Sequence, residues 1–139
     1  MSGEKLTLEI DDLIIISEEE DECEHYIKIE YGAKEFKTNS LSGNKGNIGE
    51  TFNLGEEDHS AVKISLWKSS DEDVLMGERI ICTDQLRIGT GTDEKYLLLN
   101  DCEEVANLRI ISKFQATALG NLIGEYLRDK VLSEMVIFK

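Results

Sequence analysis

Apolar and polar residues alternate with a period of two through the first 114 positions, the spacing of strands that bury one face. Leu6, Leu8 and Ile10 alternate with Thr7, Glu9 and Asp11, and Ile27, Ile29 and Tyr31 with Lys28 and Glu30. Val62, Ile64 and Leu66 alternate with Lys63 and Ser65, and residues 35–38, 48–54, 74–82, 95–99 and 105–114 bring the candidate strands to eight. Turn-forming stretches separate them, at Gly32 and Ala33 and over residues 42–49, 55–60 and 89–93. So many short strands in so little chain predict an all-β fold, an eight-stranded antiparallel β-sandwich, over residues 1–114.

After Phe114 the period changes. Leu119, Leu122, Ile123, Tyr126, Leu127, Val131 and Met135 recur at steps of three and four, so residues 115–139 read as an amphipathic helical tail. Gly120 and Gly124 weaken that helix by about 1 kcal/mol each relative to alanine. Two uses fit the tail. It can pack its stripe against the sandwich, or it can protrude as a docking helix, with Leu122, Ile123 and Tyr126 contacting a partner or a second copy in a homodimer.

Charge narrows the class of partner. The chain has 139 residues, 40% of them hydrophobic, and 29 acids against 15 basic residues give a formal net charge of -14. That field repels phosphate backbones and anionic head groups, so nucleic acid is excluded and simple electrostatic attraction to a membrane is weak. Cys23, Cys82 and Cys102 are widely spaced, with no CxxC pair, which supports neither zinc nor a disulfide framework. The amino terminus carries acids where a signal peptide has a basic region, and no apolar run reaches the length of a membrane span. The expectation is a cytoplasmic protein, one that could sit peripherally on a membrane or a cytoskeletal structure.

The order of the segments resembles the C2 domain family over residues 6–114. LTLEIDDLIII is similar to the family's opening strand leading into a first loop, and CEHYIKIEYG stands where the family has Ser-Asp-Pro-Tyr and an alternating strand. EFKTN and GNIGETFNL resemble the next two strands, with Phe52 and Leu54 as core residues. AVKISLWKSSDEDVLMGE resembles the fifth strand, third loop and sixth strand, with Trp67 and Gly77 at the family's landmarks, and LRIISKF resembles the closing strand. The resemblance implies the type II variant of the topology. It also implies three apical loops, which in many members hold calcium through aspartates and dock on phospholipid.

Calcium takes about six to eight oxygen ligands, so several carboxylates must converge. At the matching positions this chain has Glu24 for the first-loop aspartate, Lys68 directly after the tryptophan, Ser70 two positions on, and Val74 three before Gly77. The standard calcium set is broken. The tip is nevertheless acidic: Glu18, Glu19, Glu20, Asp21, Glu22 and Glu24 fall in the first loop, and Asp71, Glu72 and Asp73 in the third. Three readings stay open for these carboxylates. They can be a solvated tip that serves solubility, a docking surface for a basic protein segment, or an irregular calcium site using Asp71 or Asp73 with Asp21 or Glu24.

A second family site is a basic face that binds phosphoinositides. Here Lys28, Lys34 and Lys37 are interleaved with Glu30 and Glu35, which reads as an ordinary exposed face. His25 and His59 read as isolated surface residues, and Cys82 and Cys102 as core or near-core positions. Acids on both sides make Cys23 a poor nucleophile, and the Gly89–Gly91 turn lacks the lysine or helix that a phosphate cradle needs. The sequence therefore points away from an enzyme. It points to a calcium-independent C2 module that binds a protein partner and needs no cofactor. The alternative is a calcium-dependent phospholipid-binding or membrane-targeting C2 domain using the displaced acids.

Overall fold

The computed structural model describes residues 4–16, 23–57 and 59–116. The strands are β1 (Glu4–Ile15), β2 (Glu24–Tyr31), β3 (Lys34–Lys37), β4 (Leu41–Ser42), β5 (Lys45–Gly55), β6 (Ala61–Lys68), β7 (Val74–Cys82), β8 (Gly91–Asn100) and β9 (Glu103–Ala116). One short helix, α1 (Thr83–Leu86), follows β7. All pairings are antiparallel, in the order β3-β2-β6-β7-β8-β9-β1-β5, with β4 on the flank of β2. A single bridge, Glu78 to Leu99, joins β7 to β8. The sheet therefore folds into two facing halves, β3-β2-β6-β7 and β8-β9-β1-β5, which form the expected sandwich.

The eight expected strands are present, and β4 and α1 are additions. β4 is two residues long, too short for a period to be read from the sequence. The amphipathic tail expected over residues 115–139 lies outside the described residues beyond Ala116.

Alternation decides the core. Leu6, Leu8, Ile10, Leu13, Ile27, Ile29, Tyr31, Ile64, Leu66, Leu98, Leu108 and Ile110 are buried between the halves. Each such side chain contributes roughly 1.5–3 kcal/mol relative to exposure. Buried hydroxyls bind backbone groups inside this core. Ser112 Oγ donates to the Leu86 carbonyl at 2.7 Å and accepts the Thr92 N–H at 2.9 Å, while Thr38 Oγ1 accepts the Ile27 N–H at 2.9 Å.

Three residues differ from their sequence reading. His25 is fully buried rather than on the surface, because it shares the parity of Ile27, Ile29 and Tyr31 and points inward with them. Cys82 is exposed, since Ile81 takes the inward position beside it. Cys102 is exposed as well. It forms with Asp101 the two-residue turn between β8 and β9, where both residues have positive φ, 48° and 69°.

Candidate functional site

The third loop, the turn after β4 and the described ends of the first loop lie together at one apex. The Ser69 N–H donates to the Glu24 carbonyl at 2.8 Å, and the Gly43 N–H to the Cys23 carbonyl at 3.3 Å. The third loop and the turn after β4 thus flank the start of β2. On the far side the Ile15 N–H reaches the Asn44 carbonyl and the Ile16 N–H the Val105 carbonyl. The Asp101–Cys102 turn, which follows β8, lies at this same end.

Within the third loop the carboxylates have separate fates. Asp71, Glu72 and Asp73 are all exposed, and they differ in their hydrogen bonds. Asp73 is held: its Oδ2 accepts the Tyr26 hydroxyl at 2.6 Å, and its Oδ1 accepts the Ser70 N–H at 3.2 Å. The Ser70 hydroxyl closes the loop on the Glu72 carbonyl. The Tyr26 hydrogen bond foremost, and then the Ser70 N–H, hold the Asp73 carboxyl below the usual carboxylate range. Burial, reinforced by Asp73, pushes the Tyr26 phenol up to about 12.

These bonds bear on a calcium fit. Both oxygens of Asp73 already have donors, Lys68 and Val74 face each other as a cross-strand pair, and the Ser70 hydroxyl is turned to its own loop. Among the described residues, no three His, Cys, Asp or Glu side chains are grouped to hold a metal ion. Of the other candidate residues, Glu24 is exposed at the start of β2. Glu18, Glu19, Glu20, Asp21 and Glu22, and Leu122, Ile123 and Tyr126 of the tail, lie outside the described residues.

The outer face of β3-β2-β6-β7 runs up to this loop. Tyr26, Trp67 and Leu75 stand side by side across three strands. Lys37 Nζ lies 4.1 Å from the Tyr26 ring centroid and Lys28 Nζ 4.5 Å from that of Trp67. Lys28 also pairs with Glu35 at 3.1 Å, and Trp67 Nε1 donates to Ser65 Oγ at 2.9 Å. Lys34, grouped with these lysines in the sequence, leaves the face and donates to the Leu54 carbonyl at 3.2 Å. Tyr26 is 3% exposed although it lies on an outer face, because Lys37 and Asp73 cover it. In the sequence Tyr26 reads only as part of the CEHYIKIEYG strand. Its parity, opposite to Ile27, was the available signal that it faces away from the core.

The other outer face carries a second arrangement that the sequence reading did not single out. Arg109 bridges Asp93 at 2.6 and 2.8 Å and Asp11 at 2.8 Å, across β8, β9 and β1. Hydrogen bonding to Arg109 holds the Asp93 carboxyl below its ordinary range. Beside this clamp, at a bulge in β1, lies a cavity of about 290 Å³ lined in part by Ile14, Lys45 and Asn107.

No family model matches the sequence, and no curated protein matches it. Solved structures of similar fold do exist. A single C2 domain of plant Extended Synaptotagmin 1 matches with a TM-score of 0.70 at 10% identity, covering 85% of this chain and 98% of that one. A structure of two C2 domains of Extended-Synaptotagmin 2 matches at 0.71 and 14% identity, covering 84% of this chain and 43% of that one. A CC2D1B structure, described as coordinating ESCRT-III activity during mitotic reformation of the nuclear envelope, matches at 0.67 and 15% identity. It is covered over 55% of its length, and this chain over 81%. At these identities the likeness is one of fold: the chain is a C2-like domain. No helix among the described residues is long and apolar enough to cross a membrane.

Proposed function

We propose that this C2-like domain is a calcium-independent module that docks a protein partner, its apical carboxylates meeting a basic segment of that partner. The observation that carries this reading is the commitment of Asp73 to Tyr26 and Ser70. The third loop is organised by its own hydrogen bonds, and Lys68 stands where an acid ligand is expected from the C2 resemblance. Asp71, Glu72 and Glu24 remain exposed at the apex, free to meet cationic side chains. The reading assigns the chain no catalytic step and no cofactor, and places it in the cytoplasm. Thermal unfolding tests it: millimolar calcium should leave the melting temperature unchanged relative to chelator, and a sharp rise overturns the reading.

One observation favours a second reading, a peripheral membrane module. Two lysines rest on aromatic rings beside Leu75, an arrangement that offers cations and apolar surface together. Vesicles of phosphatidylcholine with phosphatidylserine, titrated in chelator against Trp67 fluorescence, separate the two readings. A shift in emission that K28E/K37E abolishes supports the membrane module, and an unchanged spectrum sets it aside.

A further inference from the structure

On the outer face of β8-β9-β1-β5 the ladder is interrupted beside the Arg109 clamp. Ile10 pairs with Ile110 and Leu13 with Leu108, so Asp11 and Asp12 of β1 together oppose the single residue Arg109 of β9. Because of this bulge both carboxylates reach one amide: Asn47 Nδ2 donates to Asp11 at 2.7 Å and to Asp12 at 2.8 Å. All three guanidinium nitrogens of Arg109 are engaged, Nε and Nη2 by Asp93 and Nη1 by Asp11. A network of fixed polar side chains thus crosses four strands, and the cavity of about 290 Å³ opens against it.

The cavity combines an apolar floor with a cationic rim. Ile14, 43% exposed, is paired across the sheet with Asn107 on one side and Lys45 on the other. Lys95 stands beside Arg109 in the next row. Among the described residues neither Lys45 nor Lys95 forms an ion pair. Asp11 and Asp93 neutralise Arg109 from outside the cavity, and the one acid that lines it is Asp12. In a chain of 29 acids and 15 basic residues, a cavity lined by three cations and one acid reverses the local balance of charge.

Two unpaired ammonium groups suit an anion, and Ile14 suits an apolar body. The planar fork that grips phosphate is already taken on Arg109, and Asp12 opposes a second negative charge on the ligand. Three strand spacings, about 14 Å, lie between β8 and β5, so two lysine side chains leaning inward converge on one small group over Ile14. A cavity of about 150 Å³ holds benzene, so one of about 290 Å³ holds roughly ten to twelve non-hydrogen atoms. We propose that this cavity binds a free aliphatic monocarboxylate of about eight to ten carbons, its carboxylate between Lys45 and Lys95 and its chain over Ile14. The site shares no residue with the apical docking surface and does not depend on it.

Titration of the full chain with octanoate at neutral pH, followed by backbone amide NMR, tests this. Saturable shifts are expected at Ile14, Lys45 and Asn107, with a Kd below about 1 mM. Octanamide, equal in size but uncharged, should bind at least about fivefold more weakly, and inorganic phosphate should produce no saturable shift at these residues. The double substitution K45Q/K95Q should weaken octanoate by about tenfold while the rest of the spectrum reports an unchanged fold, and Lys113→Ala, on the same face outside the cavity, should leave the affinity as it was. The octanamide comparison uses the unmodified chain, so the test does not hang on the variants folding. Three results overturn the proposal: no saturable shift at the cavity, octanamide binding as tightly as octanoate, or an affinity for octanoate that K45Q/K95Q leaves unchanged.

Discussion

The Tyr26 hydroxyl donates a 2.6 Å hydrogen bond to Asp73 Oδ2, tying the middle of one sheet to the loop at its apex. The bond uses up a carboxylate in the third loop, where calcium ligands are expected from the C2 resemblance, and it anchors a loop that otherwise carries only exposed acids. It also makes the two groups titrate abnormally, in opposite directions.

Tyr26→Phe should reveal both effects. A phenol raised to about 12 contributes stability that is fully present below its ordinary value near 10 and is lost as pH rises through about 12. The Asp73 carboxyl, held low, contributes stability that is present above its ordinary value near 3.9 and is lost as pH falls through its depressed one. Urea unfolding across pH should show Y26F flattening both limbs. Absorbance at 295 nm should show the variant losing the last tyrosine step of the native titration. Unchanged limbs contradict the bond.

Ser112→Ala removes a hydroxyl that serves the Leu86 carbonyl, the Thr92 N–H and the Thr92 hydroxyl at 2.7, 2.9 and 2.7 Å. Stranding such buried groups costs about 1–3 kcal/mol, which urea denaturation can measure. Ser112→Cys, with its weak sulfur donor, should recover little of the loss.

Two glycines close together in sequence should respond differently to alanine. At Gly91, with φ of 144°, an added Cβ falls 1.9 Å from the Ser112 carbonyl oxygen, a backbone atom that cannot step aside. At Gly89, with φ of 63°, it meets open space. Gly91→Ala should destabilise by at least about 2 kcal/mol, and Gly89→Ala by about 1 kcal/mol from its left-handed backbone alone. Equal effects in denaturant titration contradict the register of β8 on β9.

Much of this architecture is legible in the sequence, since a half-buried strand writes its burial as alternation. Leu6, Leu8 and Ile10, or Val62, Ile64 and Leu66, announce the inward face directly. The same rule extended back from Ile27 places His25 inside, but the acids before it suggested a loop and masked the parity. Cys82 misled because two isoleucines precede it, and only the strand's phase decides that Ile81 turns inward. The Tyr26–Asp73 bond spans 47 positions and the Arg109–Asp11 bond 98. No local pattern encodes such contacts; they follow once the strand order brings the segments together. For the apex, the sequence showed which ligand positions had changed, whereas the engagement of Asp73 by a tyrosine two strands away required the fold.

Isothermal titration of the full chain with calcium at neutral pH and low ionic strength tests the central claim most directly. With Asp73 committed and Lys68, Ser70 and Val74 at the ligand positions, no saturable heat beyond dilution is expected. Saturable micromolar binding, lost on Asp73→Asn, contradicts the account and makes the apex a calcium site.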